Sequence, residues 1–452
     1  MKSMLQPILM ILCFLSIHVH ADVPRTLYAI NSSAETVSKL NLESKTITQN
    51  IAQTGQVPNK IMAHDDMIYI LDSGTSDIKI LDPRTDDIVR TIALAPGANP
   101  WDMEFVGLNR VYVSNWVANT VSVVDMGSGE IIQEIPVGKG PQDILILDSQ
   151  AFVTNTGYAG WGVPYEQGTV HIIDVLTDTV VDTIPVPTNP QNAALAPDGR
   201  LHVLCTGDYA EAMGRVAVIA FNAGPNGNIP AMVDTIELGG SPGDLEITPS
   251  GKAYAIAWGD ETNGFLYAYD ALSGTVHHNV DNPILVGPNT GQVLYDGRED
   301  CLWIPFMKIW GGDGYVQKFD VAQDSVVWVS GVLGNGTQNI TIMERIRAGI
   351  ADATEPGITP DDFIVLQNYP NPFNPRTTLR IDLPASGIVS VDIFSASGQW
   401  ITTLVNTRLD AGSHAVLWEG MNHENQPVSS GVYWARLKFG EQIKTVKMTL
   451  LR

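Results

Sequence analysis

Along most of the chain, short apolar runs rich in Val, Ile, Leu and Tyr are interrupted by Gly, Asn, Asp and Pro. One stretch shows the pattern in full. Arg110–Asn115 (RVYVSN) leads through a loop to Thr120–Asp125 (TVSVVD), then the turn Met126–Gly129, the run Glu130–Val137, a Gly/Pro turn at 138–141 and the run Asp143–Asp148. Runs this short, β-branched and bounded by turn formers predict strands joined by tight turns. The 3.6-residue spacing that would mark amphipathic helices is missing.

The pattern repeats. The frame of 110–115 recurs at Leu27–Asn31, Ile68–Asp72, Ala151–Asn155, Leu201–Cys205, Ala253–Ala257 and Leu302–Phe306. The following strand closes on Asn41, Asp82, Asp125, Asp174, Asn222, Asp270 and Asp320, at successive spacings of 41, 43, 49, 48, 48 and 50 residues. Seven such units of four strands predict an all-β fold, a seven-bladed β-propeller over residues 22–347. The phase of the repeat also predicts how the ring closes. Val23–Asn31 has no innermost strand before it, whereas Gln338–Glu344 is left over after the seventh unit. Placing that last strand innermost in the first blade hides two otherwise open sheet edges.

Beyond the repeats the pattern changes. Residues 348–362 form a Gly/Pro/acidic stretch that reads as a linker. Residues 363–452 open on the proline-rich Asn368–Pro375 (NYPNPFNP) and continue as about seven short alternating strands, predicting a small Ig-like β-sandwich. At the other end, Lys2, the apolar run Ile8–Ile17 and the closing Val19-His20-Ala21 have the layout of a secretory signal peptide over residues 1–21. Cys13 follows Leu12 rather than a small residue, which argues against a lipid anchor. No later run is long enough to span a bilayer, so no transmembrane segment is expected. Cys205 and Cys301 then remain, two repeats apart, and are expected as buried thiols rather than a disulfide.

Charge narrows the partners. The chain carries 26 basic and 49 acidic residues, a net charge of −23. Nearly all of the imbalance lies in the repeat region, so phosphate backbones are repelled and nucleic acid is excluded as a partner. A monomer is expected.

Alternating strand direction divides the loops between two faces. One face carries plain turns. The other carries longer loops with aromatic residues, and five of the ten tryptophans lie on or beside it. Trp101, Trp116, Tyr158, Trp161, Tyr209, Trp258 and Trp310 are the candidate ligand contacts there, since amphipathic rings on a rigid scaffold suit flat or sugar-like ligands. The alternative is that these rings only cap the blade ends. Polar residues just before each innermost strand should encircle the mouth of the central channel: Asp102, Asp143, Asn192, Asp244 and Gln292. The carboxylates among them could hold a cation. Their expected role is nevertheless structural, capping backbone N–H groups in their own turns. No other cofactor is predicted.

No haem-attachment, zinc-protease, phosphate-loop or nucleophile-elbow motif occurs. The histidines are scattered, and the adjacent His277-His278 is a weak metal signal beside the reading as solvated residues.

Two resemblances emerge from these residues. Tyr112–Asn115 (YVSN) and Phe152–Asn155 (FVTN), each followed by a strand ending in Asp and a Gly/Pro turn, resemble the YVTN-type repeat of YncE-like exported propellers and surface-layer proteins. It implies the propeller fold over residues 25–345 and little about activity. The C-terminal segment resembles the sorting domain of the type IX secretion system. The matching positions are Asn371, Pro372, Phe373, Asn374 and Pro375, then Gly431 and Tyr433 in Ser430–Tyr433 (SGVY), then Lys447 and Met448 in the terminal KMTLLR. Trp434 and the stretch 421–425 depart from the family pattern, and an ordinary Ig-like adhesive module is the alternative. The resemblance implies export through the periplasm to the cell surface or medium, with the type IX machinery as partner. The expected function is a secreted or cell-surface propeller that binds an unidentified extracellular ligand or protein without catalysis. A propeller enzyme of the lactonase or quinoprotein-dehydrogenase kind, and a structural surface-layer component, are the alternatives.

Overall fold

The computed structural model describes residues 24–450, apart from 107–109, 148, 225–226, 261, 345–364, 370, 372, 384–386, 396–398, 410–411, 424–425 and 440–441. The signal-peptide and linker segments thus lie outside the described residues. Within them the chain is all strand and turn, with no helix.

Seven antiparallel sheets form the propeller. Blade 2 is typical: Pro58–His64, Met67–Asp72, Asp77–Asp82 and Asp87–Ala93 pair in sequence order from the innermost strand outward. Blades 3 to 7 begin at Pro100, Pro141, Pro190, Pro242 and Leu294 and repeat this order. In blades 6 and 7 the outermost position is shared by two short strands, Val276–His278 with Ile284–Val286 and Ser325–Val329 with Gly334–Asn335. Blade 1 is built from both ends of the domain. Thr337–Met343 pairs antiparallel with Thr26–Asn31 as its innermost strand, so the ring closes as the repeat phase requires.

Burial explains the sequence pattern. The second strand of each blade is covered on both faces by neighbouring blades, so Thr26–Asn31 and Leu201–Cys205 are buried at every position. The outermost strands are covered on one side only and alternate, as in Asp87–Ala93. Seven apolar clusters result, one at each seam between adjacent blades, including the closing seam where Leu27, Ala29 and Leu40 meet Cys301, Trp303 and Val316. The strand-closing acids fix the turns: Asp125 Oδ1 accepts from the Ser128 N–H and Asp174 Oδ1 from the Leu176 N–H. Cys205 and Cys301 are buried free thiols.

The C-terminal unit is a sandwich of a three-stranded sheet (Val365–Tyr369, Thr377–Leu383, Gly412–Trp418) and a four-stranded sheet (Gly387–Ser395, Trp400–Leu409, Gly431–Phe439, Gln442–Leu450). Leu379, Ile381 and Trp418 of the first pack with Val391, Tyr433 and Met448 of the second in one core.

Candidate functional site

In five of the seven blades the innermost strand starts with an irregularity. In blades 2 to 6 the pairing register slips just after the leading proline, between Pro58 and Lys60, Pro100 and Asp102, Pro141 and Ile144, Pro190 and Asn192, and Pro242 and Asp244. Such a bulge re-aims the side chain beside it. Here it turns one polar side chain per blade toward the next blade.

The outcome is a complete ring of seven cross-blade contacts. Ile61 N–H donates to Asn339 Oδ1 (3.1 Å), and Lys60 Nζ pairs with Asp102 Oδ1 (2.7 Å). Ile144 N–H donates to Asp102 Oδ2 (3.0 Å), and Ala193 N–H to Asp143 Oδ2 (2.9 Å). Asn192 Nδ2 donates to Asp244 Oδ1 (2.8 Å), and Val293 N–H to Asp244 Oδ2 (2.8 Å). Ile340 N–H donates to Gln292 Oε1 (2.7 Å), completing the circle. This corrects the expectation that Asp102, Asp143 and Asp244 cap only their own turns: each accepts from a backbone N–H of the following blade. The shared orientation of the innermost strands puts an N–H of the next blade within reach in five of these contacts, while Lys60 and Asn192 meet a carboxylate of the next blade instead.

The acids do not converge as a cation site. Among the described residues, one group of three metal-ligating side chains closes to within 4.8 Å, and it is Asp296, Glu299 and Cys301 at the closing seam. Arg25 pairs with both carboxylates there and Lys318 with Glu299, while burial pushes the Cys301 thiol up to about 12. That cluster is an ion-pair network. His277 and His278 lie in the short outer strand of blade 6, with His278 Nδ1 2.9 Å from the Asn282 carbonyl oxygen.

Below the ring of contacts, strand alternation points Glu104 and Glu246 into the same channel as Asp102 and Asp244. Burial dominates their protonation. It raises Asp143 well above the usual carboxylate range, with the Asp102 charge adding and Lys60 opposing. It raises Asp244 to about 6 against the Val293 N–H bond and Lys60. Glu104 is raised to about 7 by burial and the nearby Asp102, and Glu246 to about 8 by burial and Asp244.

Above the ring lies a cavity of about 670 Å3. Its wall includes Trp101 and Trp116, Tyr165 and Tyr209, and Trp258 and Trp310; its floor includes Lys60, Asp102, Asp143 and Asp244 with Asn and Gln side chains between them. The aromatic residues form two arcs. On blades 3 and 4, Trp101 lies 6.0 Å from Trp116, which stacks on Tyr158 at 4.6 Å. On blades 6 and 7, the Trp258 and Trp310 rings are 4.8 Å apart. Tyr209 stands between the arcs with a left-handed backbone, φ 63°, an uncommon conformation for a bulky residue. Asp208 Oδ1 holds its loop by accepting from the Ala210 and Ala212 N–H groups, and Gln191 Nε2 donates to the Tyr209 hydroxyl.

Five of the seven rim candidates therefore share one cavity with all five channel-mouth candidates. Two rim candidates do not line it. Tyr158 backs Trp116, and Trp161 is 96% exposed at the tip of its long loop, away from the cavity. Sequence reasoning did not single out Tyr165, which lines the wall from the same loop; it placed Lys60 in the polar ring at the channel mouth but not its pairing with a floor carboxylate. Lys60 was visible as the blade 2 counterpart of Asp102; its charge partner was not.

No protein-family model matches the chain, and no curated protein matches it in sequence. Solved structures do. A candidate 6-phosphogluconolactonase from Bacteroides fragilis superposes with a TM-score of 0.54 at 10% identity, covering 72% of this chain and 98% of that one. A functionally unknown protein from Desulfotomaculum acetoxidans gives 0.52 at 13% identity, covering 71% and 99%. Hydrazine synthase from Kuenenia stuttgartiensis gives 0.50 at 16% identity, covering 64% and 95%. At these identities the likeness concerns the fold.

In the C-terminal unit, most of the motif residues meet. Asn371 Nδ2 donates to the Lys447 carbonyl (2.8 Å), and Thr449 N–H donates back to Asn371 Oδ1 (2.8 Å). Phe373 N–H donates to the Thr449 carbonyl, and its ring packs against Trp418, 5.4 Å away. Tyr433 lies opposite Met448 and Gly431 opposite Leu450 in the strand pairing, and the Tyr433 ring abuts Trp418. Asn374 and Pro375 are exposed beside this junction, and Pro372 lies outside the described residues.

Proposed function

We propose that this chain is an exported propeller that captures a small polar ligand in the aromatic cavity, without catalysing its conversion. One observation carries the reading: loops from five blades bring six aromatic rings over a polar floor in a single cavity. Its volume of about 670 Å3 falls in the range of small-molecule sites, about 300–1,000 Å3. Replacing Trp258 by Ala leaves the blades intact and is expected to weaken ligand binding about tenfold or more, read by calorimetric titration. Unchanged affinity would remove the cavity from the reading.

Export rests on the signal-like N-terminus and the type IX-like tail. The junction of Asn371 and Phe373 with the last strand supports treating those motif positions as one recognition unit. Deleting residues 447–452 is expected to leave the protein inside the producing cell, as scored by cell fractionation.

A second reading, a propeller hydrolase, draws on the channel carboxylates. Asp244 at about 6 and Glu104 at about 7 are tuned for proton transfer near neutrality. The lactonase-like neighbour points the same way. A phosphorylated sugar, however, would meet no free cation on the cavity lining: its one basic residue, Lys60, is paired with Asp102. Lactone turnover by the purified protein that disappears in Asp244→Asn would favour this second reading.

A further inference from the structure

The charge of the cavity has a sign, and the sign selects the ligand. Three carboxylates and one ammonium line it, and Lys60 is spent on Asp102. Asp244 uses both oxygens, accepting from Asn192 and from the Val293 N–H. Asp143 is different. It accepts one hydrogen bond, from the Ala193 N–H to Oδ2, and it borders the cavity. Lys60 offsets one of the three carboxylates, and Asp143 and Asp244 have no basic partner in a partly desolvated recess, where Coulomb interactions are stronger than in bulk water. Burial holds the Asp143 carboxyl well above the usual carboxylate range, and an ammonium group placed beside it favours the ionised form. The aromatic arcs add the same preference, because ring faces attract cations.

The rest of the lining recognises hydroxyl groups. Gln142, Gln191 and Gln338 bring amide groups to the floor, whereas Gln292 is bonded to Ile340 and the Thr156 and Thr206 hydroxyls donate to the Gly140 and Pro242 carbonyls. Paired tryptophans above them offer flat apolar surface for a ring.

We propose that the cavity binds an amine-bearing saccharide, its ring against the Trp258–Trp310 arc and its ammonium group beside Asp143. This rests on the ligand-binding reading of the same cavity and adds the charge and chemical class of what is bound. Neutral sugars of the same shape gain the stacking but not the charge pairing, and phosphorylated sugars are repelled.

The test is a matched series on the full-length protein near neutral pH: a glucosamine trimer, its fully N-acetylated counterpart and glucose 6-phosphate, titrated calorimetrically. The glucosamine trimer is expected to bind at least about tenfold tighter than the acetylated trimer, with no measurable binding of the phosphate. The advantage should shrink as salt is raised. Asp143→Asn keeps an oxygen acceptor for the Ala193 N–H while removing the charge, so it should fold normally and bind the two trimers alike. Equal or tighter binding of the acetylated trimer by the wild type, or an undiminished amine preference in Asp143→Asn, overturns the charge assignment. If that binding is still weakened by Trp258→Ala, the cavity remains the site. Failure of both trimers to bind overturns the saccharide assignment, and the ligand-binding reading then stands or falls on whether any other ligand shows the Trp258 dependence.

Discussion

Asp102, Asp143 and Asp244 occupy equivalent positions in three blades, yet their surroundings differ. Asp102 has a lysine partner, Asp244 an asparagine and Asp143 a single backbone N–H. Two residues further along their strands, Glu104 and Glu246 sit deeper in the channel with pKa values near 7 and 8. These raised values fix the sign of a pH effect. Between the ordinary glutamate value, about 4.5, and these folded values, the folded protein binds more protons than the unfolded chain, so stability falls as pH rises through that window. The thermal midpoint is expected to climb by several degrees between about pH 8 and pH 5. Glu246→Gln should raise the midpoint near pH 8 and flatten the slope, as followed by circular dichroism.

Among the elements, the closing strand matters most. Thr337–Met343 has its partner more than three hundred residues earlier, and Arg25 locks the seam it creates. The Arg25 guanidinium pairs with Asp296 and Glu299 of blade 7 and with Glu344 just past the last strand. Arg25 and Asp296 are only 5% and 2% exposed, whereas Glu344 is 61% exposed. Burial alone would raise Asp296, but the Trp303 indole N–H and Arg25 hold it below the usual carboxylate value. Removing one member of a buried pair strands the other, so Arg25→Ala should cost about 3 kcal/mol in urea unfolding. Glu344→Ala should cost less than about 1 kcal/mol, because water screens that contact. Comparable losses in the two variants would contradict the seam as described.

At the scale of the whole molecule, the two units divide the work. The cavity is lined only by residues between Asn59 and Asn339. A chain ending at residue 347 is therefore expected to bind ligand with unchanged affinity, measured by the same titration. The C-terminal unit has its own core around Trp418, and its motif residues hold the strand Gln442–Leu450 against the segment that opens the unit. A drop in affinity on truncation would mean that the sandwich contributes to the site.

Blade count, strand order and ring closure were legible in the chain because each depends on local chemistry. β-branched runs, turn-forming Asp and Gly and a spare last strand recur whatever the neighbours do. The polar residue behind each leading proline was equally plain. Its partner was not, because which N–H it reaches depends on how one sheet is set against the next. The same holds for the rim: Trp161 and Trp116 lie in equivalent loops, but the longer loop carries Trp161 out to solvent while Tyr165 turns inward. Sequence periodicity determined the wheel. Packing between blades decided which acids are neutralised, which rings share a cavity and what charge that cavity presents, since these are properties of distances across strands far apart in the chain.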